Sequence, residues 1–202
     1  MKANLPIKLD TLEGPYSNMQ FWDAIIFAGR YKIAEKGARA RLETCKLAID
    51  SAESYLFLTI VYYYMQDDRY MLTADTTLKI FNRFLETESP ASLRYDVVRA
   101  QVALLHAANG NKRIADSLCR EVLAEGPAED WSSLSTILGV CAYTLTIIGE
   151  KDRAIDILEE LMSRPSVMSL FDLLYSKGWD PLRDHPRFKA LLEKYEKVHY
   201  DI

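Results

Sequence analysis

The side chains able to do chemistry in this chain are few and scattered. Its three histidines are His106, His185 and His199. A catalytic histidine needs a nucleophile to activate or a second group to orient it, and none of the three is paired by spacing with such a residue. His106 follows an apolar helix face, His185 sits in a proline-bearing loop, and His199 lies near the end. The three cysteines, Cys45, Cys119 and Cys141, are far apart and odd in number, with no CxxC motif. Each falls at an apolar helix position and reads as a buried small hydrophobe. No HExxH motif is present. The carboxylate pairs Asp67-Asp68 and Glu159-Glu160 suit a turn and a solvated helix face better than a cation. The eight glycines are dispersed, so no loop cradles a phosphate. The reading is a non-enzymatic chain with no cofactor and no metal.

The composition narrows the class further. The 202 residues fit one domain, and 49% are hydrophobic, which suits a packed core. A net charge of −4 argues against a nucleic-acid footprint, which needs clustered basic surface. The first residues hold no apolar stretch of the kind that marks a secretory signal. The longest apolar runs, residues 55–65 and 137–148, fall short of the roughly 20 residues a membrane span needs. A cytoplasmic protein with no membrane partner is the expectation.

The elements that must position any site come from a pattern that occurs twice. The first copy places Val102-Ala103, His106, Gly110, Ala115, Cys119 and Val122 at set spacings, with Pro127 beyond. The second places Cys141-Ala142, Leu145, Gly149, Ala154, Leu158 and Leu161 at the same spacings, with Pro165 just after. Each copy reads as two helices joined by a glycine turn, with a small residue in each helix allowing close approach. Ala103, Gly110, Ala115 and Pro127, repeated as Ala142, Gly149, Ala154 and Pro165, resemble the tetratricopeptide repeat (TPR). The usual period is about 34 residues. Here the two glycines are 39 apart, which implies a lengthened connection at 125–130. The early tryptophan of that family is replaced by Arg99 and Leu138.

Along the chain, residues 1–16 read as an extended terminal segment or linker, with groove filling as an alternative. A first helix is expected over 17–28, capped by Ser17 or Asn18. A turn at 29–31 and a second helix to about Asp50 follow, with Ala34, Ala38, Leu42, Cys45 and Ile49 on one face. The next pair is expected to begin near Ala52, turn at 67–69 and continue over 71–86. Tyr62 there occupies the place of a small residue. Ser89-Pro90 reads as a cap and first-turn proline, opening helices over 90–108 and 112–124. Helices over 131–148 and 151–163 complete four hairpins. The repeats thus span 17–165, and 166–202 form a C-terminal cap, with Ser166, Asp180 and Asp184 starting its short segments. Trp179, Leu182 and Phe188 are the expected cover of the last repeat, because terminal repeats need capping.

The tail sharpens the resemblance. The run Trp179-Asp180-Pro181-Leu182-Arg183, followed by Pro186-Arg187-Phe188, is similar to the tail that closes TPR regions in bacterial multidomain signalling proteins. Those include serine/threonine kinases, nucleotide cyclases and winged-helix regulators. No kinase, cyclase or DNA-reading signature accompanies it here. The resemblance implies an all-α TPR-like helical-hairpin solenoid whose first helices line a concave surface. Matched residue by residue, that lining is Leu56, Thr59, Tyr63 and Gln66, then Val97, Ala100, Leu104 and Ala107, then Thr136, Gly139, Tyr143 and Thr146. It lacks the Lys, Arg and Asn arrangement with which some TPR domains clamp a terminal carboxylate. Its small, apolar and aromatic character suits an apolar peptide or a partner helix. The implied function is protein–protein interaction, as a scaffold or adaptor in bacterial signalling. The alternatives are a small-ligand-sensing domain attached to a signalling enzyme and a self-association module that forms homo-oligomers.

Overall fold

A computed structural model describes residues 29–125, 131–166 and 168–200. The expected segment 1–16, the helix over 17–28 and most of the connection at 125–130 lie outside the described residues. Among those described, all regular structure is helical. The elements are α1 (Tyr31–Thr44), α2 (Ala48–Met65), α3 (Arg69–Thr87), α4 (Leu93–Ala108), α5 (Lys112–Glu125), α6 (Trp131–Ile148), α7 (Lys151–Met162) and α8 (Leu170–Tyr175). A 3-10 turn (Lys177–Leu182) and α9 (Pro186–Tyr200) follow.

Consecutive helices pack in pairs: α2 on α3, α4 on α5 and α6 on α7, with α1 against α2 ahead of them. The pairs join through α3 with α4, α4 with α6 and α5 with α6. Apolar spacing explains each element. In α5, Ala115, Cys119 and Val122 are buried at steps of four and three, which is one stripe of a helix facing a core. In α7 the buried set is Ala154, Ile155, Ile157, Leu158 and Leu161. Helix α6 is different. Its 18 residues are apolar enough to match a membrane span in length and composition, with a mean hydropathy of 1.5. Half of it is buried inside the protein, on several faces, because α4, α5, α7 and the 3-10 turn all pack on it. Its buried hydroxyls are satisfied locally: Thr144 donates to the Val140 carbonyl at 2.8 Å and Thr146 to Ala142 at 2.9 Å.

The close helix approaches occur at the alanines that mark the pattern. Ala103, Ala115, Ala142 and Ala154 are all fully buried. Gly110 and Gly149 turn their hairpins with φ of 78° and 94°, values that an L side chain adopts at a cost. The equivalent turn between α2 and α3 is made by Gln66 in the left-handed conformation, at φ 55°.

Several boundaries differ from the sequence expectation. Helix α1 stops at Thr44 rather than near Asp50, because Cys45 and Leu47 are extended, at ψ 128° and 140°. Helix α2 therefore starts at Ala48, earlier than expected. Ser89-Pro90 does not open a helix. The Ser89 carbonyl accepts from the Ser92 amide at 2.9 Å, so Pro90 sits inside a tight turn and Ser92 precedes α4. Ser169, not Ser166, caps α8, through a reciprocal box with Asp172. Ser176 caps the 3-10 turn by accepting from the Gly178 amide at 3.2 Å, and Pro181 falls inside that turn rather than opening a helix.

Tyr62 shows how a large residue is tolerated at a small-residue position. It is 1% exposed, and its hydroxyl sits between Arg39 (2.7 Å) and the Glu35 carboxylate (2.9 Å). Arg69 stacks over its ring at 4.2 Å and reaches Glu35 at 2.8 Å. Burial pushes the Glu35 carboxyl up, but the hydrogen bonds from Tyr62, Arg69 and Arg39 outweigh it and hold the group below its usual 4.5. A carboxylate with a lowered folded-state pKa stabilises the fold above the unfolded value and loses that contribution in acid. Glu35→Gln is expected to destabilise by about 1–2 kcal/mol at pH 7. In urea titrations, the gap from wild type should shrink as the pH falls below 4.5. A gap that stays constant with pH would remove the ionic role.

Candidate functional site

The first helices α2, α4 and α6 bring five of the twelve expected lining residues together. Leu56, Thr59 and Tyr63 from α2, Leu104 from α4 and Tyr143 from α6 border one apolar crevice. Its volume is about 10 Å³, room for about one water. Leu56, Thr59 and Leu104 form its buried walls, at 6%, 2% and 6% exposure. The Thr59 hydroxyl donates to the Tyr55 carbonyl at 2.8 Å and lies 2.9 Å from the Thr73 hydroxyl, so it offers nothing to a ligand. Tyr63 is the exposed lip, 37% accessible, with its ring edge-on to Tyr64 and Tyr70.

The other expected positions do not reach the crevice. Gln66 is exposed in the turn after α2. Ala100, Ala107 and Thr146 are core residues, and Val97 is half-buried against the main apolar cluster. Thr136 and Gly139 are half-buried on α6. The three consecutive tyrosines diverge as helix geometry requires: Tyr62 faces the Glu35 network, Tyr63 faces out, and Tyr64 points to the C-terminal segment.

That segment was missing from the expected site. The chain returns after α8 and lays residues 176–179 against the first helices. Trp179 meets the Tyr143 ring edge-on, centroids 5.5 Å apart. Gly178 is pressed so closely that an added β-carbon would collide with the Tyr143 ring and lie 2.8 Å from the Tyr64 hydroxyl. The Tyr64 hydroxyl meets the Ser176 side chain, and burial pushes that phenol well above its usual pKa. Lys177 Nζ lies over the Tyr31 ring at 5.3 Å, and Tyr31 stacks on Tyr64 at 6.1 Å. Arg183 holds the turn's shape by binding the Ser176 carbonyl at 3.1 Å and the Asp180 carboxylate at 2.7 Å.

None of His106, His185, Cys119 and Cys141 lines the crevice. Burial pulls the His106 imidazole below its usual pKa, which favours its neutral form. His185 faces Asp152 at 3.5 Å, and its Nδ1 is buried without a partner. Cys119 and Cys141, distant in sequence, are both fully buried and their thiols meet between α5 and α6. Contact with Cys119 and burial push the Cys141 thiol far up, so it stays protonated and unreactive. Among the described residues, no three His, Cys, Asp or Glu side chains gather as a metal ion would require.

No protein-family model, curated protein or solved structure matches the chain significantly.

Proposed function

We propose that the chain is a TPR-like solenoid that acts as a non-catalytic interaction module and binds a peptide or partner helix on the face of α2, α4 and α6. The observation that carries this reading is the convergence of Leu56, Tyr63, Leu104 and Tyr143, from three successive first helices, on one apolar crevice. Buried alanines at Ala103, Ala115, Ala142 and Ala154, with glycine turns at Gly110 and Gly149, support the repeat assignment. The tail's resemblance to the ends of bacterial signalling proteins supports a regulatory setting in the cytoplasm. A small-molecule site in this crevice is disfavoured, since ligand pockets run to roughly 300–1,000 Å³ and this crevice is about 10 Å³.

Affinity capture with the wild-type chain beside Tyr63→Glu tests the reading. Tyr63 is exposed enough to carry a charge in the folded protein, but that charge loses water when a partner covers it. The wild type should retain a protein that the variant loses by at least about tenfold, a cost of about 1.4 kcal/mol. Equal retention would move the site elsewhere. Light scattering on the same samples identifies a second copy of the chain as the partner if the wild type is an oligomer and the variant is not.

A further inference from the structure

We propose that Asn109-Gly110, the turn between α4 and α5, is a self-modification site: it deamidates to aspartate and isoaspartate, and the folded hairpin holds that reaction back. The inference does not depend on what the chain binds.

The sequence supplies the chemistry. Of the five asparagines, Asn109 alone precedes a glycine; the others precede Leu5, Met19, Arg83 and Lys112. In the reaction the Gly110 backbone nitrogen attacks the side-chain carbonyl carbon of Asn109. The new N–C bond closes a five-membered succinimide. The bond to Nδ2 breaks, and ammonia leaves with the proton of the Gly110 amide. Water then opens the ring at either carbonyl, giving aspartate or isoaspartate. Nothing is oxidised or reduced, and water is the only co-reactant. Glycine favours the closure because no β-carbon crowds its nitrogen or restricts its backbone.

The structure supplies the restraint. The Gly110 amide donates to the Ala107 carbonyl at 3.0 Å. It is flanked by the Asn109 amide on Leu105 at 3.0 Å and the Asn111 amide on His106 at 2.8 Å. Ring closure needs the Gly110 nitrogen to swing toward the Asn109 β-carbon. At the observed ψ of 7° it eclipses the Asn109 backbone nitrogen instead, far from an attacking geometry. The reaction therefore waits for the turn to open.

Loss of ammonia makes the change one-way, and its product fits the turn poorly. The Asn109 Oδ1 is buried with no hydrogen-bond partner. A carboxylate there is a charge in a partly buried place, at the C-terminal end of α4, where the helix dipole repels it. Isoaspartate also lengthens the turn's backbone by a methylene. Either product loosens the hairpin beside Ala108, which lines the crevice.

Mass spectrometry of peptides from the full chain, resolving aspartate from isoaspartate at position 109, tests the proposal. In urea, Asn109 should convert faster than Asn82 or Asn111, and at least about tenfold faster than in native buffer. Ala115→Leu overpacks the joint of α4 with α5, so it should raise the native rate about fivefold or more and leave the rate in urea unchanged. Asn109→Asp, the product with an unaltered backbone, should melt below the wild type. Conversion in urea no faster at Asn109 than at Asn82 and Asn111 would overturn the site. Equal wild-type rates in urea and native buffer, or an unchanged native rate in Ala115→Leu, would overturn the restraint. An Asn109→Asp chain that melts with the wild type would overturn the loosening of the hairpin.

Discussion

Truncation of the chain before Trp179 should convert it into an aggregating, partly unfolded species. The cut removes Trp179, Leu182, Phe188 and Leu191, which are 3%, 0%, 0% and 4% exposed. Full burial of such a side chain stabilises by about 1.5–3 kcal/mol, so four of them amount to about 6–12 kcal/mol, comparable with the whole stability of a typical domain. The cut also strips the cover from Leu158, Leu161 and Leu173, members of the same apolar cluster. The Arg187 ties to Asp156 (2.6 Å) and Glu159 (2.9 Å) on α7 go with it, although such half-exposed pairs contribute little. Size-exclusion chromatography and circular dichroism are the checks. A monomeric product of full helicity would show that α9 and the 3-10 turn are an appendage rather than a cap.

Ala154→Leu is expected to destabilise by about 1–3 kcal/mol, and Ala115→Leu by a similar amount, through overpacking at sites with no room for a larger side chain. Both alanines are fully buried where second helices meet first helices. For a chain of this size, each kcal/mol lowers Tm by about 2–4 °C. Ala40→Leu on the exposed side of α1 is the control, and should change stability by less than about 0.5 kcal/mol. If all three variants melt together, the helix register at Ala115 and Ala154 is wrong.

The parts of the fold legible in the sequence are those where a local signal and a tertiary demand coincide. Asn109-Gly110-Asn111 and Gly149 mark turns because glycine alone takes their positive φ cheaply. The stripes of α5 and α7 mark core faces through 3.6-residue periodicity. The break at Cys45 and Leu47 was hidden because it uses neither glycine nor proline, whereas the α2–α3 turn was legible at 67–69 from its polar residues, although Gln66 ahead of them takes a glycine's conformation. The Ser169–Asp172 capping box was readable as S-x-x-D, yet Ser166 beside Pro165 drew the assignment.

The site was legible in part. Matching positions to a repeat identifies which residues share a first-helix face, and five of those twelve lining residues border one crevice. It does not reveal how neighbours fill that face. Ala100 is absorbed by packing of α4 against its neighbours, and Gln66 by the turn. The return of Ser176 and Gly178 onto Tyr64 joins residues more than a hundred positions apart, which no periodicity encodes. The Glu35–Tyr62–Arg69 network is likewise non-local: a buried tyrosine at a small-residue position was visible, but its polar partners were not.

The most direct test of the proposed binding face is a photo-crosslinking aromatic amino acid placed at Tyr63, with a second placed at Ile114 on α5, in the full chain within its host. Both positions are exposed, at 37% and 48%, but only Tyr63 borders the crevice. The account predicts a crosslinked protein from position 63 and none from position 114. A crosslink from position 114 alone, or none from position 63, would contradict it.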